Sequence, residues 1–334
     1  MCSIRIYIQK RREGFVLNRK TKAVGSAAVA KKGMQYKRKK TIDLTLMALV
    51  PLLIMLCFKY VPLAGLQLAF KDFSYNLGIF GSDWVGLKNF KFLFASVDAW
   101  RITKNTIVLN LMFILTTTVG GIVFAIILNE IRSKIAIRFY QTCMFLPHIL
   151  SASIVAYITF AFLNVDYGFI NSLLVKFGGE RVMWYSDPKY WYTILIIVNL
   201  WKGLGYSTII YYANIISIDE SYYEAAAVDG ANWFQSRIKI LIPMIVPMII
   251  TMFIMNIGKV FYADFGLFYM VPKDTGTLYP ATDVIDTYVY RALVTDADVG
   301  KSAATGFYQS IVGFVLVLLT NALARKYDKN TAIF

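Results

Sequence analysis

The stretch that decides the fold reads Ser217-Ile218-Asp219-Glu220-Ser221-Tyr222-Tyr223-Glu224-Ala225-Ala226-Ala227-Val228-Asp229-Gly230-Ala231-Asn232, and an apolar run with two prolines, Ile240 to Pro247, follows it. Ser217 and Glu220 stand at capping-box spacing, so a helix is expected to start at Asp219. Ala225, Ala226 and Ala227 favour helix and carry almost no side chain, which lets another surface approach the backbone. Asp229-Gly230 supplies a stop, because glycine takes the left-handed conformation that ends a helix. Asn232 is placed to cap the next helix. The spacing predicts two short helices meeting at a glycine, with Glu220, Glu224 and Asp229 exposed. A loop that merely linked its neighbours would not need these paired start and stop signals.

Working outward, the neighbours are hydrophobic. The chain has 334 residues, of which 57% are hydrophobic and only 16% charged, against about 25% charged in soluble domains. Apolar runs fall at about 42–66, 106–128, 139–163, 190–216, 242–263 and 303–323. Each is near the ~20 residues that cross ~30 Å of hydrocarbon as a helix. The expected fold is therefore all-α transmembrane with six helices. Residues 1–41 form a basic tail, 42–325 the membrane domain with a loop at 217–241, and 326–334 a short second tail. The segment 67–104, with Trp84, Trp100 and several phenylalanines, is too aromatic for a loose loop and is expected to pack on the outer surface. Pro147 is expected to kink span 3.

Net charge is +15, and 13 Lys/Arg lie in the first 43 residues. Ahead of a membrane span this is an orientation signal and a contact for lipid headgroups. No RNA-binding pattern accompanies it, which argues against nucleic acid as a partner. With the N-terminus inside, inner segments hold 21 Lys/Arg and outer segments 11. Both termini and the 217–241 loop are then cytoplasmic, and the acidic segment 264–304 is outside. No signal-type apolar run precedes the first span, which is expected to be an uncleaved anchor. Cys57 and Cys143 read as apolar filler and Cys2 as a free thiol. The lone histidine, His148, has no second ligand at metal spacing and reads as a structural hydrogen-bonding group.

Glu224-Ala225-Ala226, Asp229-Gly230-Ala231, then Ile240, Pro243 and Pro247 resemble the EAA motif of permease subunits of bacterial ABC importers. Arg237 departs from that pattern, which usually has an aromatic or bulky apolar residue there. Tyr60-Val61-Pro62-Leu63-Ala64-Gly65, Ala69-Phe70-Lys71-Asp72, Gly81-Ser82-Asp83-Trp84-Val85-Gly86-Leu87, Leu146-Pro147-His148 and Ala281 to Tyr290 are similar to one branch of the carbohydrate uptake group. This is the polysaccharide/lipoprotein-type branch, itself similar to the maltose-type importers. The resemblance covers the chain from about residue 43 to its end. It implies a multi-pass permease of the bacterial cell membrane, paired with a second homologous permease. It also implies a cytosolic ATPase dimer and an extracytoplasmic solute-binding protein that delivers an oligosaccharide. Glu224, Ala225, Ala226, Asp229, Gly230 and Ala231 would form the ATPase-coupling element. The chain has no G-x-x-x-x-G-K-[ST] loop, so no cofactor is expected on it and ATP would be bound by the partner subunit.

Sugars require hydrogen-bonding groups and flat apolar faces, and intramembrane polar residues usually face a cavity. On span 4, Asn199, Gly203, Tyr206 and Ser207 share a helical face. Span 5 adds Asn256 and Lys259. The maltose-type relatives place sugar contacts at similar offsets around the EAA loop. Hydrogen bonding between helices would explain Asn199 and Asn256 equally well. Trp201 reads as packing. Lys202 could attract an acidic sugar or pair with a carboxylate of the partner permease. An ABC permease for another solute is the nearest rival. A membrane enzyme would need a catalytic constellation, and neither H-E-x-x-H, G-x-S-x-G nor paired intramembrane carboxylates occur. A secondary transporter would show repeats or paired broken helices, and no such signal is present.

Overall fold

A computed structural model describes residues 40–41, 43–91 and 95–327. The basic tail expected at 1–41 and the end of the C-terminal tail lie outside the described residues, apart from Lys40, Thr41, Lys326 and Tyr327. The described residues fall into two units, one ending at Gly65 and one beginning at Leu66. Among the described residues, five helices are long and apolar enough to cross a membrane, or six if one bent pair is counted as a single span.

Span 1 is helical over Asp43–Phe70, past the expected end at about residue 66. Its Leu56–Tyr60 turn is a π-helix. Val61–Phe70 is a 3-10 helix, of which Leu66–Phe70 belong to the second unit. A two-residue antiparallel ladder then pairs Lys71 with Trp84 and Asp72 with Asp83. Lys71 is buried, and its ammonium donates to the carbonyls of Ile79 at 2.9 Å and Phe80 at 3.0 Å. Phe70 packs on Phe90 and Phe307. This aromatic segment is thus folded onto span 6.

Span 2 is longer than its apolar run. It covers Val97–Asn129, because the Ser96 hydroxyl caps the Ala99 N–H and starts the helix nine residues before Thr106. Span 3 is not one helix over 139–163. It is Lys134–Ile149 followed by Ala152–Leu163, bent by 99°. Pro147 sits in the last turn of the first piece. The break comes later, where Leu150 is extended and the Ser151 hydroxyl accepts from the Ile154 N–H to cap a new helix.

Span 4 is Trp191–Ile215. Span 5 runs Trp233–Ile257, with a π-turn at Arg237–Leu241. Span 6 begins at Val299. Spans 2 and 4 form the most extensive packing, and Gly120 and Gly121 of span 2 allow it. A Cβ on Gly121 would stand 2.7 Å from the Ser207 Cβ. At Gly205 a Cβ would lie 1.9 Å from the Met144 carbonyl oxygen, so the first half of span 3 crosses span 4 backbone against backbone.

The segment 264–301 carries helices Phe265–Met270 and Ile285–Val294. Its anchor is Asp283, buried between the Arg101 and Arg291 guanidinium groups. Asn105 donates to the carbonyls of Pro280 at 3.1 Å and Asp283 at 3.0 Å, and Thr106 accepts from the Ile285 N–H at 3.0 Å. A buried carboxylate flanked by two guanidinium groups is a paired charge, which is how such a group tolerates burial. The Ala281–Tyr290 stretch is thereby fastened to the start of span 2.

Candidate functional site: a polar cavity between spans 2, 4 and 5

Span 5 stops being helical at Ile257, short of the expected Ala263. Turns follow over Gly258–Tyr262 before Asp264 caps the next helix, its Oδ1 accepting from the Leu267 N–H at 3.2 Å. An irregular backbone between apolar helices leaves peptide groups that need partners. Three other elements supply them. Asn110 of span 2 donates to the Val260 carbonyl at 2.8 Å, and Gln309 of span 6 to the Phe261 carbonyl at 2.6 Å. The Asp286 carboxylate accepts from the Ala263 N–H at 2.7 Å. Burial pushes the Asp286 carboxyl above its usual range, and these hydrogen bonds oppose the shift.

The turn opens a cavity of about 260 Å³ against spans 2 and 4. All six residues expected to face substrate, Asn199, Gly203, Tyr206, Ser207, Asn256 and Lys259, line it. It is also lined by Asn110, Thr117, Tyr262 and Asp264, which the sequence reading missed. Asn110 and Thr117 lie on one face of span 2, two turns apart. Asp264 had been placed with the acids of the outer loop. Its Oδ2 instead lies 2.8 Å from the Lys202 ammonium. Lys202 is therefore paired within its own chain and not left for a carboxylate of a second permease. Among the described residues no carboxylate forms an ion pair with Lys259, so of the two charged groups on the wall Asp264 is paired, with Lys202, and Lys259 is not. Tyr206 stacks on His148 at 4.9 Å between ring centroids, with 11° between planes. His148 thus makes a ring stack where a structural hydrogen bond was expected. Trp201 lies on another face, with Ile158, Phe162 and Ile197 around an apolar groove.

At the other end of span 4, the short helix is Ser221–Val228, two residues later than expected. Ser217 does not cap it, since its hydroxyl donates to the Asn214 carbonyl. The Asp219 carboxylate accepts from the Ser221 N–H at 2.9 Å, which holds that carboxyl below its usual range. The helix ends as expected. Gly230 has φ +79°, the Gly230 N–H donates to Ala227 at 3.1 Å, and the Ala231 N–H donates to Ala226 at 2.9 Å. That pair of bonds is a Schellman stop. Asn232 and Gln235 then cap the next helix reciprocally, at 2.9 and 3.0 Å. Tyr223 and Ala226 face inward, while Glu220, Glu224, Ala225 and Asp229 are exposed.

Residues 117–329 match the family described as the inner membrane component of binding-protein-dependent transport systems. The chain belongs to this family. The permease is 35% identical over 282 residues to protein LplB of Bacillus subtilis (strain 168), covering 84% of this chain and 88% of that one. It is 37% identical over 286 residues to YteP of the same organism, a polygalacturonan/rhamnogalacturonan transport system permease, covering 86% and 88%. Among solved structures it resembles a bacterial ABC transporter that imports the acidic polysaccharide alginate. That match has a TM-score of 0.79 and 33% identity, and covers 87% of this permease and 97% of that chain. The permease has the all-α fold expected of an importer subunit. It is a membrane component and not the ATPase.

Proposed function

We propose that this permease passes acidic oligosaccharides through the cavity between spans 2, 4 and 5, and that it is driven by a separate ATPase dimer seated on helix Ser221–Val228. The observation that carries the substrate class is Lys259. It faces a polar cavity with no carboxylate of the described residues to neutralise it, while the neighbouring lysine is already paired with Asp264. A bare ammonium in such a wall favours an anionic guest. The named relatives that handle polygalacturonan and alginate agree in charge. Tyr206, held by His148, offers an aromatic face for a pyranose ring. Asn110, Asn199, Asn256 and Ser207 supply donors and acceptors for hydroxyl groups. The volume is below the ~300–1,000 Å³ of pockets for drug-sized ligands, so the site holds part of a chain, not a whole oligosaccharide.

In this reading both termini and the 217–241 loop are cytoplasmic, and a second permease completes the cavity. A solute-binding protein delivers the sugar from outside. No cofactor is needed on the permease itself. Glu224, Ala225, Ala226, Asp229, Gly230 and Ala231 contact the ATPase, whose closure shifts the permease between two states.

The test is uptake into proteoliposomes containing the full complex, with a uronate oligosaccharide and a reduced, neutral version of the same length. Lys259→Met is expected to raise KM for the charged sugar by about tenfold, equivalent to about 1.4 kcal/mol, and to leave the neutral one near wild type. Equal effects on both sugars would remove the charge argument.

A further inference from the structure

One ion pair on the Ser221–Val228 side of the permease joins the ends of two spans. Glu130 sits in the turn that ends span 2, and Arg237 in the π-turn at the base of span 5. Arg237 Nε donates to Glu130 Oε1 at 2.9 Å, and Nη2 donates to the same oxygen. The arginine side chain is only 15% exposed. Its guanidinium lies 5.0 Å from the centroid of the Tyr223 ring, on helix Ser221–Val228, and 5.8 Å from that of Trp233. Stacking of this kind adds a cation–π contact to the charge pair. Among the described residues the buried Tyr223 hydroxyl has no hydrogen-bond partner, so the ring is held by packing and by the contact with the guanidinium. Behind it, Ala125 of span 2, Tyr211 and Ile215 of span 4, and Leu241 and Ile245 of span 5 form one buried cluster.

We infer that Arg237 and Glu130 are positioning residues that clamp the coupling helix to the ends of spans 2 and 5, so that a push on the helix moves both spans together. Those spans carry facing parts of the cavity wall, Asn110, Phe113 and Thr117 on one and Met252 and Asn256 on the other. A freely exposed pair would contribute little. This one is half-enclosed by two rings from the helix it holds and from the start of span 5, which is the arrangement a rigid joint requires. The inference rests on the coupling role proposed above for Ser221–Val228.

The experiment uses the complete complex in proteoliposomes and reads sugar imported per ATP hydrolysed. Arg237→Met and Glu130→Gln are each expected to lower that ratio by about fivefold or more, the low end of an allosteric coupling. ATP hydrolysis itself should stay within about twofold of wild type. The double variant should be no worse than the worse single, because both remove the same joint. Should Arg237→Met be lost on purification, Arg237→Lys keeps the charge and gives up the planar stack, and the same thresholds apply. Single variants with a wild-type ratio, or losses that add in the double variant, would overturn the inference. A second arm needs no substrate. Spin labels at Arg132→Cys and Ser221→Cys, with other cysteines replaced, should give one narrow distance distribution with and without trapped nucleotide, and a broadened one in Arg237→Met. Equal widths would also overturn the clamp. A wild-type complex that hydrolyses ATP but imports no oligosaccharide would count against the proposed function, leaving this second arm to decide the clamp.

Discussion

At the scale of single residues, Gly230 is the clearest case of a backbone requirement. Its φ of +79° is left-handed, yet a Cβ there would meet nothing within 4 Å. A side chain at this position therefore pays only in backbone strain, of about 1–2 kcal/mol, and more for a β-branched one. Gly230→Val should leave membrane insertion and assembly intact while loosening the Schellman stop that orients Glu224 and Asp229. The expected result is normal recovery of the complex on purification, with oligosaccharide uptake reduced by about tenfold or more. Wild-type uptake by this variant would sink the coupling assignment. The stop was legible in the sequence because glycine after an alanine run has few other uses. The start was not. Ser217 and Glu220 have the spacing of a capping box, but Asp219 lies closer to the first free N–H and wins it.

At the scale of elements, the apolar runs fall on helices but do not give their limits. Hydropathy marks where a helix is greasy, whereas caps decide where it begins, so span 2 starts at Ser96 and not at Thr106. Span 3 shows the same effect in reverse. Its apolar run is continuous through Leu150 and Ser151, so composition could not reveal a 99° bend made by a serine cap. Span 5 ends early for a reason no local reading supplies: the partners that satisfy Gly258–Ala263 come from Asn110, Asp286 and Gln309, far away in sequence. Packing between elements gives a sharp prediction at Gly205. With the Met144 carbonyl where a Cβ would go, Gly205→Ala must push spans 3 and 4 apart. A destabilisation of at least about 1–3 kcal/mol is expected from such overpacking, read as a lower Tm of the purified complex. An unchanged Tm would mean that the two backbones are not in contact.

At the scale of the whole molecule, the proposed function rests on two places, and span 4 runs between them. Asn199, Gly203, Tyr206 and Ser207 line the cavity, and Ser221 begins the proposed coupling helix six residues after span 4 ends at Ile215. The polar face of span 4 was readable from three- and four-residue spacing. Asp264 was not, because nothing in its sequence context distinguishes an acid that turns back to meet Lys202 from one on an outer surface. That pairing matters for the central claim, since it leaves Lys259 as the charge available to a guest. The most direct measurement is uptake of a labelled uronate oligosaccharide by proteoliposomes holding the permease pair and ATPase, with the binding protein outside and ATP enclosed. Accumulation that requires both ATP and the binding protein, and that exceeds accumulation of the neutral reduced sugar, is the predicted result. Uptake that ignores ATP, or that favours the neutral sugar, would contradict the account.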